Sequence, residues 1–167
     1  MRLENFDYNH SFAVFLTICT KDRKQLLSSV VGTGVPDGPL NEIYDQYTVH
    51  LSDEGKVVDK FIRQFNDFYH HLDVEDFVIM PNHVHLLVSF YEKGGPSGTP
   101  VPTKIQNSEV SKFISSLKRF SNKEIGRNIW QIRSFDHVIR DREDFLNHKK
   151  YILENPAHWC DDELFAE

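Results

Sequence analysis

Three features of the sequence predict an α+β fold. The stretch Phe77–Phe90 holds two apolar runs around a Pro81-Asn82 corner, the pattern of a strand hairpin. Ser11–Thr20 is a second run of β-branched and aromatic residues and reads as another strand. The segments between and after these runs space their apolar residues at i, i+3, i+4 and i+7, as amphipathic helices do.

Taken in order, the first strand leaves through a charged exit, Lys21-Asp22-Arg23-Lys24. Val30–Pro39 is rich in Gly and Pro and is expected to be an irregular loop, within a flexible insertion near residues 30–47. Tyr47–Leu51 is expected to be a short extra strand. Asp53–Leu72 is predicted to be a helix, with Val58, Phe61, Ile62, Phe65, Phe68, Tyr69 and Leu72 on its apolar face and Ser52 or Asp53 as cap. His70 and His71 are expected to meet the negative end of its dipole. The hairpin follows, then a second flexible insertion near 92–106, poor in apolar residues.

Ser108–Ile125 is predicted to be the second helix, burying Val110, Phe113, Ile114, Leu117 and Phe120. Trp130-Gln131-Ile132-Arg133 leads into Phe135–Arg140, read as a fourth core strand. A third helix starts beyond Arg140 with Asp141 as N-cap, and ends near Asn155-Pro156, because proline disfavours helix in the residue before it. The first six main elements have the order of a split β-α-β-β-α-β ferredoxin-like antiparallel sheet, with an additional C-terminal helix carrying Tyr151. One domain is expected over residues 1–167.

The 167 residues are 40% hydrophobic and 26% charged, a balance that excludes a disordered chain. Thirteen Phe point to a core built largely on that side chain. No apolar run approaches a membrane span of about 20 residues, and Met1-Arg2-Leu3-Glu4-Asn5 does not read as the start of a signal peptide. Cys19 and Cys160 fit no metal spacing, so a reducing cytoplasm is the expected location. Net charge is −6, mildly unfavourable for a nucleic-acid partner, but its distribution is uneven. Residues 101–150 carry 11 Lys/Arg against 6 Asp/Glu, while residues 1–100 carry 8 against 14. Lys112, Lys118, Arg119 and Lys123 lie largely outside the apolar stripe of the second helix. With Arg133 they are the candidate DNA contacts, although a solvated helix face would carry the same charges.

His83 and His85 stand two residues apart on a strand, so both project from one face. Two polar residues on a solvated face would have that spacing too. Two neutral imidazoles can instead hold one divalent cation while leaving positions open for substrate. On the third helix, Phe145, Leu146, Ile152 and Leu153 form an apolar stripe. Tyr151 falls roughly 160° from its centre at 100° per residue, with Asp144, His148 and Asn155 on the same side. That side is either the wet face of a surface helix or a chemical one. A phenol is a nucleophile that needs a base, or a metal that makes its electrophile more reactive. Asn155 can complete a neutral ligand set with His83 and His85 through its amide oxygen, a set suited to Mg²⁺ or Mn²⁺ engaged through substrate phosphate oxygens.

With these residues in place, the chain resembles the single-tyrosine HUH transposases, which include insertion-sequence and REP-associated tyrosine transposases. The matching segments are FAVFLTICTKDR (Phe12–Arg23), LSDEGKVV (Leu51–Val58), FVIMPNHVHLLV (Phe77–Val88), WQIRSFDHVIR (Trp130–Arg140) and YILENPAHW (Tyr151–Trp159). The resemblance implies a DNA transposase-like strand transferase acting on single-stranded DNA with hairpins. His83 and His85 would bind the metal. Tyr151 would form a 5′-phosphotyrosine, and Asn155 would stand at the third ligand position. The family includes both monomers and homodimers. Asp136 and His137 lie in a family-like segment, where a structural or supporting role is as open as a catalytic one. Two alternatives share the same residues: a non-catalytic single-stranded nucleic-acid-binding module, and a domesticated relative acting on repeated extragenic elements. A structural zinc site has no well-placed cysteine.

Overall fold

The computed structural model describes residues 11–32, 47–91 and 103–165, of which residue 11 and residues 103–108 are described by their backbone only. The elements are β1 (Ser11–Cys19), β2 (Ser28–Gly32), β3 (Tyr47–Leu51), α1 (Asp53–Phe68), β4 (Leu72–Ile79) and β5 (His83–Tyr91). They continue with α2 (Thr103–Ile125), β6 (Phe135–Val138) and α3 (Arg142–Glu154), which runs into a 3-10 turn, Asn155–Asp161. Four strands form one antiparallel sheet in the order β4-β5-β1-β6, and β2 and β3 form a separate hairpin.

The alternation of side chains along β1 and β5 divides the core. Phe12, Val14, Leu16 and Ile18 face one side with Val84, Leu86, Val88 and Phe90. There they pack against Val58, Ile62 and Phe65 of α1 and Val110, Phe113, Ile114 and Leu117 of α2. The opposite side is thinner. Ala13, Val78, Met80 and Leu87 meet Phe145 and Ile152 of α3 and Trp159 of the 3-10 turn. All of β5 except Tyr91 is buried, because it is paired on both edges and covered on both faces. Trp130 enters the larger core and donates its indole N–H to the Ser121 hydroxyl at 2.8 Å, so its one polar atom is satisfied.

Several sequence boundaries shift. Strand β2 includes Val30–Gly32, which were expected to be loop, because its β-branched Val30 and Val31 pair with Val49 and Thr48. The rest of the insertion near 30–47 lies almost wholly outside the described residues, as does 92–102. Helix α2 starts at Thr103, five residues before the expected Ser108. Helix α1 stops at Phe68, because Tyr69 turns to an extended conformation and Leu72 opens β4. His70 and His71 therefore lie past the helix, and His71 pairs with Glu109 at 3.2 Å. β4 also begins earlier than the hairpin strand read from Phe77. β6 ends at Val138 and is an edge strand, not a core one: Phe135 is 67% exposed and Val138 42%.

Helix α3 differs most from its expected orientation. Phe145 and Ile152 are buried, but Leu146 and Leu153 are 47% and 70% exposed. The buried face passes through Phe145, Ile152 and on to Asn155, and Tyr151 borders it instead of opposing it. The roll follows polar pairing: Asp144 and His148 turn inward to meet His137 of β6 and Phe15 of β1.

The start of α1 is held by close packing. The Ser52 hydroxyl accepts from the Gly55 N–H at 3.0 Å and donates to the Leu26 carbonyl at 2.6 Å. A Cβ on Gly55 would overlap the Leu27 carbonyl oxygen, a backbone atom that cannot swing away. Gly55→Ala is therefore expected to cost about 3 kcal/mol by overpacking, read as a fall in the urea midpoint with an unchanged slope.

Candidate active site

The Pro81-Asn82 corner is fixed by its backbone. Pro81 O accepts from the N–H groups of Leu26 and Leu27 at 2.9 Å, and Asn82 O accepts from Thr20 N at 2.8 Å. The register of β1 on β5 sets Cys19 opposite His83 and Thr17 opposite His85. Both imidazoles project to the α3 side of the sheet, 0% and 3% exposed, with ring centroids 4.4 Å apart.

One nitrogen of each ring is accounted for. The Asn82 amide nitrogen donates to the carbonyls of Leu164 (2.7 Å) and Arg23 (3.3 Å), which fixes the amide orientation. Its oxygen then accepts from His83 Nδ1 at 2.8 Å, so that nitrogen carries the hydrogen and Nε2 the lone pair. His85 Nδ1 is 2.9 Å from the Thr17 hydroxyl. The two Nε2 atoms are fully buried and have no hydrogen-bond partner. Unpaired buried polar atoms of this kind are costly and rare unless a ligand completes them. Burial pushes the His83 ring down to about 4, against the opposing pull of the nearby Asp162 carboxylate. Burial, aided by His83, holds His85 well below its usual value. Both rings therefore present lone pairs through the neutral range.

Asn155 lies just past the last residue of α3 and opens the 3-10 turn, with Pro156 next, that carries the chain back over the site. Its side chain is buried and its amide oxygen is another unpartnered atom. Its amide nitrogen approaches Asp162 Oδ2 at 3.4 Å. Asp162, which the sequence reading missed, places Oδ2 3.9 Å from His83 Nε2 while Oδ1 accepts from Leu164 N at 2.7 Å. Donor atoms of His83, His85 and Asp162 all lie within 4.8 Å of one another. With Asn155, two nitrogens and two oxygens converge, and the set is anionic, not neutral as expected. They fit a divalent cation: His83 Nε2 and Asn155 Oδ1 are buried, unpartnered lone-pair donors, and His85 Nε2 becomes a third when its Nδ1 donates to Thr17. The only trace of Asp162 in the sequence is the acidic run Asp161-Asp162-Glu163 after the proline.

Tyr151 is 45% exposed, and its ring meets His85 edge-on at 5.2 Å and Phe15 at 5.8 Å. Burial, followed by the Asp162 charge, raises its phenol above the usual value. The phenol borders a cavity of about 540 Å³ with Phe15, Arg23, His85, Phe135, His148 and Asp162 in its walls. Arg23 reaches it from a turn in which Asp22 and Arg23 both take left-handed backbone angles (φ 58° and 53°), uncommon for residues other than glycine.

The cations predicted on α2 are not brought to this cavity, since α2 packs on the opposite face of the sheet. Lys112 pairs with Glu109 at 2.7 Å, and Arg119 lies over the Phe120 ring at 4.8 Å. Lys123 is in the last turn of α2, and Arg133 is exposed just before β6. Lys118 differs. Its ammonium donates to the carbonyls of Gln131 (2.8 Å) and Ile132 (3.2 Å), and burial lowers its pKa. It holds the segment leading to β6. Asp136 is exposed on β6, and His137 contacts α3 through Asp144.

No family model matches the chain. An uncharacterized protein of Haemophilus influenzae is 26% identical over 181 aligned residues, covering 100% of this chain and 92% of that one. A second H. influenzae protein, provisionally named a REP-associated tyrosine transposase, is 29% identical over 66% of this chain and 68% of its own length. The REP-associated tyrosine transposase of Escherichia coli K12 is 27% identical over 51% of this chain and 44% of its own. The two named relatives are both REP-associated tyrosine transposases by name, and it is to these that the chain is similar in sequence.

Proposed function

We propose that the chain is a metal-dependent strand transferase of the HUH type that cleaves and rejoins single-stranded DNA through Tyr151. The observation that carries this reading is the convergence of unpartnered, buried donor atoms on His83, His85 and Asn155 beside a phenol that borders an open cavity. A binding module without chemistry would leave those buried atoms unexplained. The order β4-β5-β1-β6, with α1 and α2 on one face and α3 on the other, supports reading the sheet as a split ferredoxin-like unit with an added tyrosine helix.

His83, His85, Asn155 and Asp162 would hold Mg²⁺ or Mn²⁺. Such an ion, when bound, draws charge from a phosphodiester oxygen and makes the phosphorus more electrophilic. Tyr151 Oη attacks that phosphorus. The Oη–P bond forms, the P–O3′ bond breaks, and the 5′ end stays on the tyrosine as a phosphodiester. Rejoining is the reverse step with a 3′-hydroxyl as nucleophile. Arg23 is the cation in the cavity wall that can pair with the phosphate backbone. Lys112, Arg119, Lys123 and Arg133 are assigned to flanking DNA, including a hairpin. Lys118 is not, because its ammonium is occupied by backbone carbonyls. The histidines and the tyrosine belong to one chain, which supports a site that needs no second copy.

Tyr151→Phe is expected to retain DNA binding and to lose the denaturation-resistant protein–DNA band formed in Mn²⁺. A Phe variant that still forms the band would remove Tyr151 from the role. Calorimetric titration of chelator-treated protein should show one Mn²⁺ per chain, lost in His83→Gln. The unmetallated protein should also be acid-sensitive. Unfolded histidine takes up a proton near pH 6.5, whereas buried His83 does so only at about 4. Between these values the unfolded state binds more protons, so stability falls as pH falls and is unaffected above the window. The loss from His83 should be on the order of 3 kcal/mol by pH 4, read from urea denaturation in chelator, and should shrink in His83→Gln.

A further inference from the structure

Beside the proposed metal site lies a second cluster of titratable groups that the function above does not use: His137 on β6 with Asp144 and His148 on α3. His148 Nδ1 is 2.8 Å from the Asp144 carbonyl oxygen and 3.0 Å from its Oδ1. Both partners can only accept, so Nδ1 carries the hydrogen and the lone pair of a neutral ring sits on Nε2. The second carboxylate oxygen is taken up as well. Asp144 Oδ2 accepts from His137 Nε2 at 2.9 Å and from the Arg140 N–H at 3.0 Å. Burial works against the Asp144 charge, but the Arg140 N–H and the His137 ring outweigh it and hold the carboxyl below its ordinary value.

The same ring borders the tyrosine's cavity. His148 precedes Tyr151 by three residues, a spacing that places two side chains on neighbouring positions of one helix face. Phe15 packs on both, at 4.6 Å from His148 and 5.8 Å from Tyr151, and all three residues line the cavity. The ring nitrogens nearest the carboxylate lie at N–H···O distances, as hydrogen-bond donors toward it do. The arrangement is that of a histidine oriented by a carboxylate, the usual way to hold a base in one tautomer.

We propose that His148, oriented by Asp144, accepts the proton of the Tyr151 hydroxyl as it attacks the phosphodiester. This assignment rests on the strand-transfer reading above. As the Oη–P bond forms, the phenol proton passes to His148 Nε2. The P–O3′ bond breaks on the far side of the phosphorus, and the departing 3′-oxygen takes a proton from water. In rejoining, His148 returns its proton to the leaving phenolate. Burial raises the Tyr151 pKa, which makes unaided ionisation harder and an acceptor more useful. Asp144 is a positioning residue in this scheme, and His137 holds its second oxygen.

The test is single-turnover formation of the protein–DNA adduct in Mn²⁺, using labelled single-stranded DNA from around the chain's own gene. His148→Ala should slow the adduct about 100-fold, the scale of one general base, with Mn²⁺ binding unchanged. Added imidazole should restore part of the rate. Asp144→Asn should slow it less, by about 10-fold, and gain nothing from imidazole. If the Ala variant does not fold, His148→Gln carries the same expectation. A second probe with sulfur in place of the bridging 3′-oxygen should leave the ratio of wild type to variant unchanged, because the leaving group is not what His148 assists. Equal rates for wild type and His148 variants, or a defect erased by the sulfur probe, would overturn the assignment alone. So would a second bound Mn²⁺ that is lost in His137→Ala. Wild-type protein that forms no adduct would overturn the strand-transfer reading, and this assignment with it.

Discussion

The pairing of β1 with β5 is the constraint on which the site depends. Its register runs without interruption from Ser11 opposite Tyr91 to Cys19 opposite His83. Side chains alternate along a strand, so a slip of one residue would carry both histidines to the other face, into the packing of α1 and α2. The apolar set on that face, from Leu16 and Ile18 to Val84 and Leu86, makes such a slip prohibitive. The larger core therefore fixes the direction of two side chains that project from the opposite face of the sheet.

Hydrogen bonding then determines what the imidazoles can do. Asn82 and Thr17 each engage an Nδ1, and the Nε2 atoms are left facing inward. The Asn82 amide is held by Arg23 O and Leu164 O, so the tautomer of His83 depends on backbone 59 residues before and 82 residues after Asn82. A site whose donor atoms are oriented before any ligand arrives requires little rearrangement on binding. The same principle holds His148, where the Asp144 carbonyl and carboxylate both accept from one nitrogen.

Much of this was legible in the sequence, for identifiable reasons. β1, β5 and α1 carry long, strongly periodic apolar patterns, and Ser52 and Asp141 are cap residues in positions where caps form. The end of α1 is not legible because Leu72 satisfies both a helical stripe and the start of a strand. The roll of α3 is not legible because a helical wheel assumes that leucines seek burial. Here the contacts of Asp144 and His148 set the orientation, and Leu146 and Leu153 remain wet. Lys118 has the sequence pattern of a surface cation, but the Gln131 and Ile132 carbonyls beyond α2 capture it. Asp162 reaches His83 only because the chain reverses after Pro156, and such a reversal leaves no periodic signal.

Helix α3 buries only Phe145 and Ile152 along its length. Polar contacts hold its ends, to β6 through Asp144 and to the hairpin corner through the turn that follows Asn155. It is mounted like a bar clamped at both ends, with little adhesive between. Segments with few buried apolar contacts are the ones that open locally at low free-energy cost. The Tyr151 phenol is thus located from the two ends of its helix more than from beneath it, so loosening either end would swing the phenol relative to the histidines.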